Sequence, residues 1–324
     1  MFAPEVGRLT TLGQGYLRLI SFGIGFAKAT ITTGPSLIVL QAVEGCSKVE
    51  YVQLGQAAPP FGPFGPPHAL AELGSCQNPT LTADLLEIYV TTDRAGGLGN
   101  NDTWVAKRTS VDEPFNTPVP VPNVNSASEE SSPAVTPDGL TLWFGSDRTG
   151  GAGAMDIWVS TRSDRASDWS TPTSVTALNS SGYEIPRPVG DYGLQMPLSR
   201  HGSSGNYQLY MAKRPALDAE WQTPQPIAEL AQPSALVVDG FLTDDGTMLL
   251  FNVEQQGNQQ SEMHRAWRLT ADESFSRPVS LGTGLNSTTL NRDPWLAPDG
   301  NHFFFSSDRS GTIMVYEADS SQDQ

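Results

Sequence analysis

The sequence predicts an all-β protein, a five-bladed β-propeller with four antiparallel strands per blade, and three observations predict it. A turn aspartate recurs at Asp84, Asp138, Asp191, Asp245 and Asp299, with gaps of 54, 53, 54 and 54 residues. A second marker, an aromatic residue followed three positions later by proline, recurs out of phase with the first. It reads Phe64-Gly-Pro-Pro67, Phe115-Asn-Thr-Pro118, Trp169-Ser-Thr-Pro172, Trp221-Gln-Thr-Pro224 and Phe275-Ser-Arg-Pro278. Self-similarity at such a period is the signature of a repeat architecture. Finally, 31 glycines and 25 prolines leave few uninterrupted stretches for helices, and a hydrophobic fraction of 38% suits short strands and wide loops.

Residues 1–45 differ from the rest and read either as an export signal or as an irregular extension. The apolar stretches Tyr16–Ala27 and Pro35–Val43 are too short and too interrupted to span a bilayer. The run Ser36–Val43 precedes Glu44-Gly45-Cys46-Ser47, which resembles the end of a bacterial lipoprotein signal and implies a lipid anchor at Cys46. The second reading of the two cysteines is a disulfide between Cys46 and Cys76. Residues 46–63 form a linker whose Pro/Gly-rich part, QAAPPFGPFGPP from Gln56, cannot join a central strand.

The propeller is expected over residues 64–319, followed by a tail at 320–324. In the second repeat, Pro133–Thr136 leads into the Pro137-Asp138-Gly139 turn, and Leu140–Gly145 is a second strand rich in β-formers. A Gly-rich loop at Asp147–Ala154 precedes a third strand, Ile157–Thr161, and a fourth, Thr171–Ala177. The last unit ends at Tyr316–Asp319 without a fourth strand, whereas a spare strand follows Phe64. That N-terminal strand should complete the last blade from outside and close the ring.

The segments PDGLTLWFGSDRTGG from Pro137 and APDGNHFFFSSDRSG from Ala297 resemble the WD40-like repeat known as PD40, found in TolB-like propellers. The resemblance covers about residues 64–319. It implies a non-catalytic propeller that binds a protein or peptide partner in the bacterial cell envelope, hence a periplasmic or outer-membrane-associated location, with a cytoplasmic one as the alternative if residues 1–45 are an irregular extension. The alternative is a carbohydrate-active propeller, a glycosidase with carboxylates on its inner strands or a lectin.

A net charge of −16 argues against nucleic acid or an anionic membrane surface as partner. No HExxH, CxxC, P-loop or GxSxG motif occurs, so no short motif announces a chemistry, and no metal ligand set is legible. No cofactor is expected; calcium in the Asp/Gly loops is the single candidate, although these loops lack EF-hand ligand density. The Asp-Arg pairs Asp93-Arg94, Asp147-Arg148 and Asp308-Arg309 read as loop staples. Strand alternation places the residues six and four before each turn aspartate toward the central channel. These are small or neutral in the first two blades but include Arg187, Asp239, Phe241, Asp293 and Trp295 in the last three, with Glu184 and Arg292 at the mouth. The third blade also breaks the Asp-Arg pattern with Arg200-His201. The ligand-binding candidates are therefore Arg187, Asp239, Phe241, Arg292, Asp293, Trp295, Arg200 and His201. Were the chain a glycosidase, Glu184, Asp239 and Asp293 would be its catalytic carboxyls and Trp295 its sugar platform.

Overall fold

The computed structural model describes residues 61–201, 207–232, 234–255 and 260–320, together with the backbone of five short strands nearer the N-terminus. Those five form a three-stranded sheet (Thr10–Leu12, Tyr16–Arg18, Tyr51–Gln53) and a hairpin (Ala29–Thr33 with Ser36–Leu40). The apolar run read as the core of an export signal thus includes one strand of that hairpin. Cys46, with its lipid-anchor and disulfide readings, lies outside the described residues. Residues 1–59 and 60–324 are separate compact units.

The second unit is a five-bladed propeller, each blade a four-stranded antiparallel sheet. Blade 1 runs Gln77–Leu81, Glu87–Thr92, Asp102–Lys107 and Val119–Pro120. Blade 2 runs Glu130–Val135, Thr141–Ser146, Asp156–Thr161 and Thr173–Ser174. Blade 3 runs Glu184–Pro186, Gln195–His201, Tyr207–Lys213 and Gln225–Pro226. Blade 4 runs Ala235–Leu242, Met248–Gln255, Ser261–Trp267 and Val279–Ser280. Blade 5 takes Asn291–Leu296, His302–Ser307 and Met314–Asp319 from the C-terminal end, and its fourth strand is His68–Ala69. Tyr316 pairs with Ala69 and Glu317 with His68, so the ring closes as the repeat arithmetic requires. The propeller starts slightly before residue 64, because Phe61 already packs edge-on against Phe64 and Phe303.

Both sequence markers have a physical cause. In four blades the turn aspartate accepts the backbone N–H two residues on: Leu86, Leu140, Thr247 and Asn301 donate at 2.8–3.1 Å. Blade 3 is one residue shorter here and turns instead through Asp191–Gly193, with Asp191 and Tyr192 at positive φ. The aromatic of the second marker is a platform for an arginine that follows the third strand. Arg108, Arg162, Arg214 and Arg268 lie 4.3–4.5 Å above Phe115, Trp169, Trp221 and Phe275. The Nε of each donates at 2.7–2.8 Å to a carbonyl of the turn before the second strand. A half-buried guanidinium over a ring contributes about 0.5–2 kcal/mol, repeated here in four blades.

A further device joins the blades to each other. The inner strands of blades 1, 2, 4 and 5 carry a β-bulge, with Asn78, Ser132, Asp239 and Asp293 in the left-handed region at φ 51–59°. Asn and Asp tolerate that conformation better than most residues. Three of these bulge N–H groups donate to a hydroxyl on the second strand of the preceding blade. Asn78 reaches Ser306 at 3.1 Å, Ser132 reaches Thr91 at 3.0 Å and Asp239 reaches Ser199 at 3.1 Å. Blade 3 has no bulge, and the matching position in blade 2 is Gly145, which has no hydroxyl to offer.

Candidate functional site

The bulges decide which side chains reach the propeller axis. One extra residue per strand breaks the period-two alternation, so positions six and four before the turn aspartate no longer share a face. Asp239 and Asp293 turn toward the axis. Phe241 and Trp295, expected beside them, pack edge-to-face on each other at 5.9 Å in the core between blades. Trp295 also meets Phe304 at 5.7 Å and is only 5% exposed, so it offers no open platform for a sugar.

At the axis the unbulged strand of blade 3 sends Arg187 across to both aspartates. Its Nη2 pairs with Asp239 Oδ1, and its Nη1 lies 3.2 Å from Asp293 Oδ1. Asn78 from blade 1 donates to Asp293 twice, through Nδ2 to Oδ1 at 2.7 Å and through its backbone N–H to Oδ2 at 3.2 Å. Asn252 Nδ2 donates to Asp239 Oδ2 at 3.1 Å. Residues of blades 1, 3, 4 and 5 thus make one buried polar network. Burial draws the Arg187 guanidinium below its usual pKa, against the pull of Asp293. A guanidinium keeps its proton regardless, which is why arginine can serve at such a site. Three buried polar atoms around the axis have no hydrogen-bond partner among the described residues: Arg187 Nε, Arg292 Nε and Asn252 Oδ1.

Arg292 and Glu254 stand above this network. Arg292 Nε is 3.8 Å from Asp293 Oδ2, and its Nη2 donates to Gln77. Burial pushes the Glu254 carboxyl above the usual range; Arg292 and Arg187 oppose this while Asp293 adds to it. A carboxylate with a raised folded pKa favours the fold below its unfolded pKa and penalises it once the pH rises through the folded value. Glu254→Gln should therefore melt about 2 °C higher than the parent at pH 8, with the gap closing as the pH falls below 4. A lower melting temperature at pH 8 would show instead that the arginines hold Glu254 favourably.

The remaining candidates lie elsewhere. Glu184 is fully buried at the start of its strand, where it accepts from the Ser180 backbone N–H at 2.9 Å and pairs with Arg200 Nε at 3.0 Å. Glu130 does the same in blade 2, accepting from Ser126 N–H at 2.7 Å and from Arg148 at 2.9 Å. Glu184 and Arg200 therefore belong to the loop staple of their blade and do not join Asp239 and Asp293. Arg94, Arg148, Arg200 and Arg309 each donate to a backbone carbonyl 21–24 residues upstream, as the staple reading of the Asp-Arg pairs expects. Blade 4 has Gln255 in place of this arginine. His201 is exposed and forms a ring cluster with Tyr207 at 5.1 Å and Tyr183 at 6.4 Å. Neither tyrosine carries a repeat marker, so only the lost Asp-Arg pattern at His201 pointed to the cluster. Asn252 escaped sequence reasoning because it sits on a second strand, where the other blades have Thr91, Gly145, Ser199 and Ser306.

The glycine-rich loops close on themselves. Asp102 Oδ2 accepts from Leu98 and Gly99 at 2.9 and 3.1 Å, and Asp156 Oδ2 accepts from Ala152 and Gly153 at 2.8 and 3.0 Å. A Cβ at Gly97 or Gly151 would lie about 2 Å from the same oxygen, so glycine is required there. A rim groove of about 210 Å³ between blades 3 and 4 is lined by Met211, Lys213, Arg268 and Phe275, two of which are the arginine and ring of a repeat platform. Cys76 is a buried thiol that burial pushes up to about 12, against the pull of Arg94.

The class of molecule this defines is a five-bladed β-propeller with a charge-paired, partly unsatisfied axis. No protein-family profile matches the sequence, and no curated protein does. Solved structures agree on the fold. A glycosyl hydrolase from Bacteroides ovatus aligns with TM-score 0.52 and 15% identity over 81% of this chain and 95% of its own. The endo-arabinase of Bacteroides thetaiotaomicron aligns with TM-score 0.50 and 12% identity over 79% and 97%. TolB from Acinetobacter baumannii aligns with TM-score 0.49 and 14% identity over 76% of this chain, which spans 55% of that TolB. At these identities the likeness to the two Bacteroides enzymes is one of fold. Among the described residues no helix is long and apolar enough to cross a membrane.

Proposed function

We propose that this propeller is a non-catalytic binding module that presents its axis face to a protein or peptide partner in the bacterial cell envelope. The observation that carries the reading is the engagement of both candidate carboxylates by Arg187, Asn78 and Asn252. A glycosidase of ordinary design needs two carboxyls flanking an open cleft, one free to give a proton and one free to attack or to activate water. Here Asp239 and Asp293 are 7% and 3% exposed, and Glu184 is committed to Arg200. The partner-facing groups are instead Arg292, Glu254 and the Tyr183–His201–Tyr207 cluster, with Arg187 Nε beneath. Such a mixture of charge and aromatic surface suits a polypeptide more than a uniform ionic ligand. The repeat resemblance to TolB-like propellers supports the envelope setting.

Two assays on the purified chain test this together. In the first, nitrophenyl glycosides and arabinan oligosaccharides should show no turnover above background; turnover abolished by Asp293→Asn would overturn the proposal. In the second, the immobilised chain should retain a defined envelope polypeptide from a Gram-negative extract. An Arg292→Ala, Glu254→Gln double variant should lose at least tenfold in affinity, whereas Asp138→Asn in the opposite-face turn should bind as the parent does. Equal binding by all three proteins would move the site off the axis.

A further inference from the structure

Two histidines and three carboxylates that are scattered in sequence meet on one face of blade 5. His302 Nδ1 lies 3.1 Å from Glu317 Oε1 and 3.0 Å from Asp319 Oδ1. One ligand atom from each of these three residues lies within 4.8 Å of the other two. His68 Nε2, on the closing strand, is 3.9 Å from the second oxygen of Glu317. His302 Nε2 is 3.9 Å from Asp299 Oδ2 in the turn.

A simple ion pair describes this arrangement poorly. The Nδ1 of an imidazole carries at most one hydrogen, yet it faces two carboxylate oxygens at equal distance. Around a tetrahedral zinc, with metal–ligand bonds of about 2.0–2.2 Å, neighbouring ligand atoms stand about 3.3 Å apart. The two spacings at His302 Nδ1, 3.1 and 3.0 Å, come close to that edge, and the 3.9 Å between His68 Nε2 and Glu317 leaves His68 a short approach to make. A histidine that binds metal through one ring nitrogen usually presents the other to a carboxylate, as His302 presents Nε2 to Asp299. The equivalent place in blade 1 is built differently. Glu87 occupies the His302 position, and its strand partner is Lys107 where blade 5 has Asp319. Lys107 lies 2.9 Å from Glu87, and Arg162 lies 2.6 Å from it, so that site supplies its own cations. Blade 5 has three carboxylates, and the cation that blade 1 sends toward them is Arg108, already bonded to the Leu85 carbonyl and stacked on Phe115.

We propose that His302, Glu317 and Asp319, with His68 as fourth ligand, form a binding site for a zinc-class divalent cation. Mixed imidazole and carboxylate donors favour zinc or its neighbours over calcium. The ligands come from the two ends of the propeller: His68 from its beginning, His302, Glu317 and Asp319 from its end. A bound ion therefore fastens a closing strand only two residues long.

The test uses the full chain after dialysis against EDTA. Zn²⁺ at a hundredfold excess over its Kd should raise the melting temperature by about 5 °C, and Ca²⁺ at the same concentration should not. Co²⁺ should give the visible absorption of a tetrahedral site, and excess Zn²⁺ should abolish it. His302→Gln and Glu317→Gln should each weaken Zn²⁺ binding at least tenfold, and Asp299→Asn about tenfold through the imidazole it orients. Asp319→Asn, at an exposed position, covers the case in which a buried variant fails to fold. Cys76→Ser should bind as the parent does. The absence of any Zn²⁺ shift, or a shift unchanged in both His302→Gln and Asp319→Asn, would overturn the assignment.

Discussion

Arg187→Met is expected to be the most damaging single substitution in this chain, with a loss of about 3–5 kcal/mol. Arg187 is 7% exposed, and among the described residues it alone pairs with both Asp239 and Asp293. Without it two like charges face each other in a buried site, held by the amides of Asn78 and Asn252 and by the more distant Arg292, 3.8 Å from Asp293. Methionine fills much of the same volume, so the loss reports charge rather than a cavity. The diagnostic experiment is rescue. Adding Asp239→Asn and Asp293→Asn to Arg187→Met removes both orphaned charges and should restore most of the lost stability. Those two substitutions alone strand the guanidinium and should destabilise. Chemical denaturation of the four proteins gives the coupling energy directly. If Arg187→Met melts within a degree or two of the parent, the axis is not the paired network described above.

The second large effect concerns ring closure. Removing residues 1–59 should leave a propeller that melts within about 3 °C of the full chain, because the second unit is compact by itself. Removing residues 1–69 should lower the melting temperature by more than 10 °C or abolish folding, a loss of several kcal/mol at this size. That truncation deletes the pairing of His68 and Ala69 with the Met314–Asp319 strand, the Gly65 N–H bond to the Asp319 carbonyl at 2.8 Å, and the Phe61 and Phe64 rings against Phe303. It also leaves the Met314–Asp319 strand as an unpaired edge, so the product should oligomerise in a concentration-dependent way. Equal melting temperatures for the two truncations would show that the outer strand of blade 5 is dispensable.

Much of this architecture was legible in the chain, because a repeat writes the same physical requirement in blade after blade. The turn aspartates stand out since only a short acceptor side chain caps the N–H two residues ahead. The aromatic-proline markers stand out since four blades set a ring beneath an arginine, and in the fifth the ring of Phe64 packs on Phe303. Blade count, strand number and closure by an N-terminal strand follow from the spacing of these marks. The loop arginines were also readable as staples, because Asp147 and Arg148 recur with their glycines.

The site was less legible, and the reason is local. Period-two alternation carries information only while a strand stays regular, and a left-handed residue at Asp239 or Asp293 resets it. Sequence counting placed Asp239 and Asp293 at the axis, as the structure does, but sent Phe241 and Trp295 there as well, and the bulge turned both into the core. The convergence of Arg187 on two aspartates 52 and 106 residues away, the separation of Glu184 from them, and the meeting of His68 with His302 and Glu317 depend on which blades are neighbours around a closed ring. The sequence by itself determined the repeat, the blade and the ring; the tertiary structure alone decided which charges meet, because that depends on bulges and blade adjacency that no single repeat encodes.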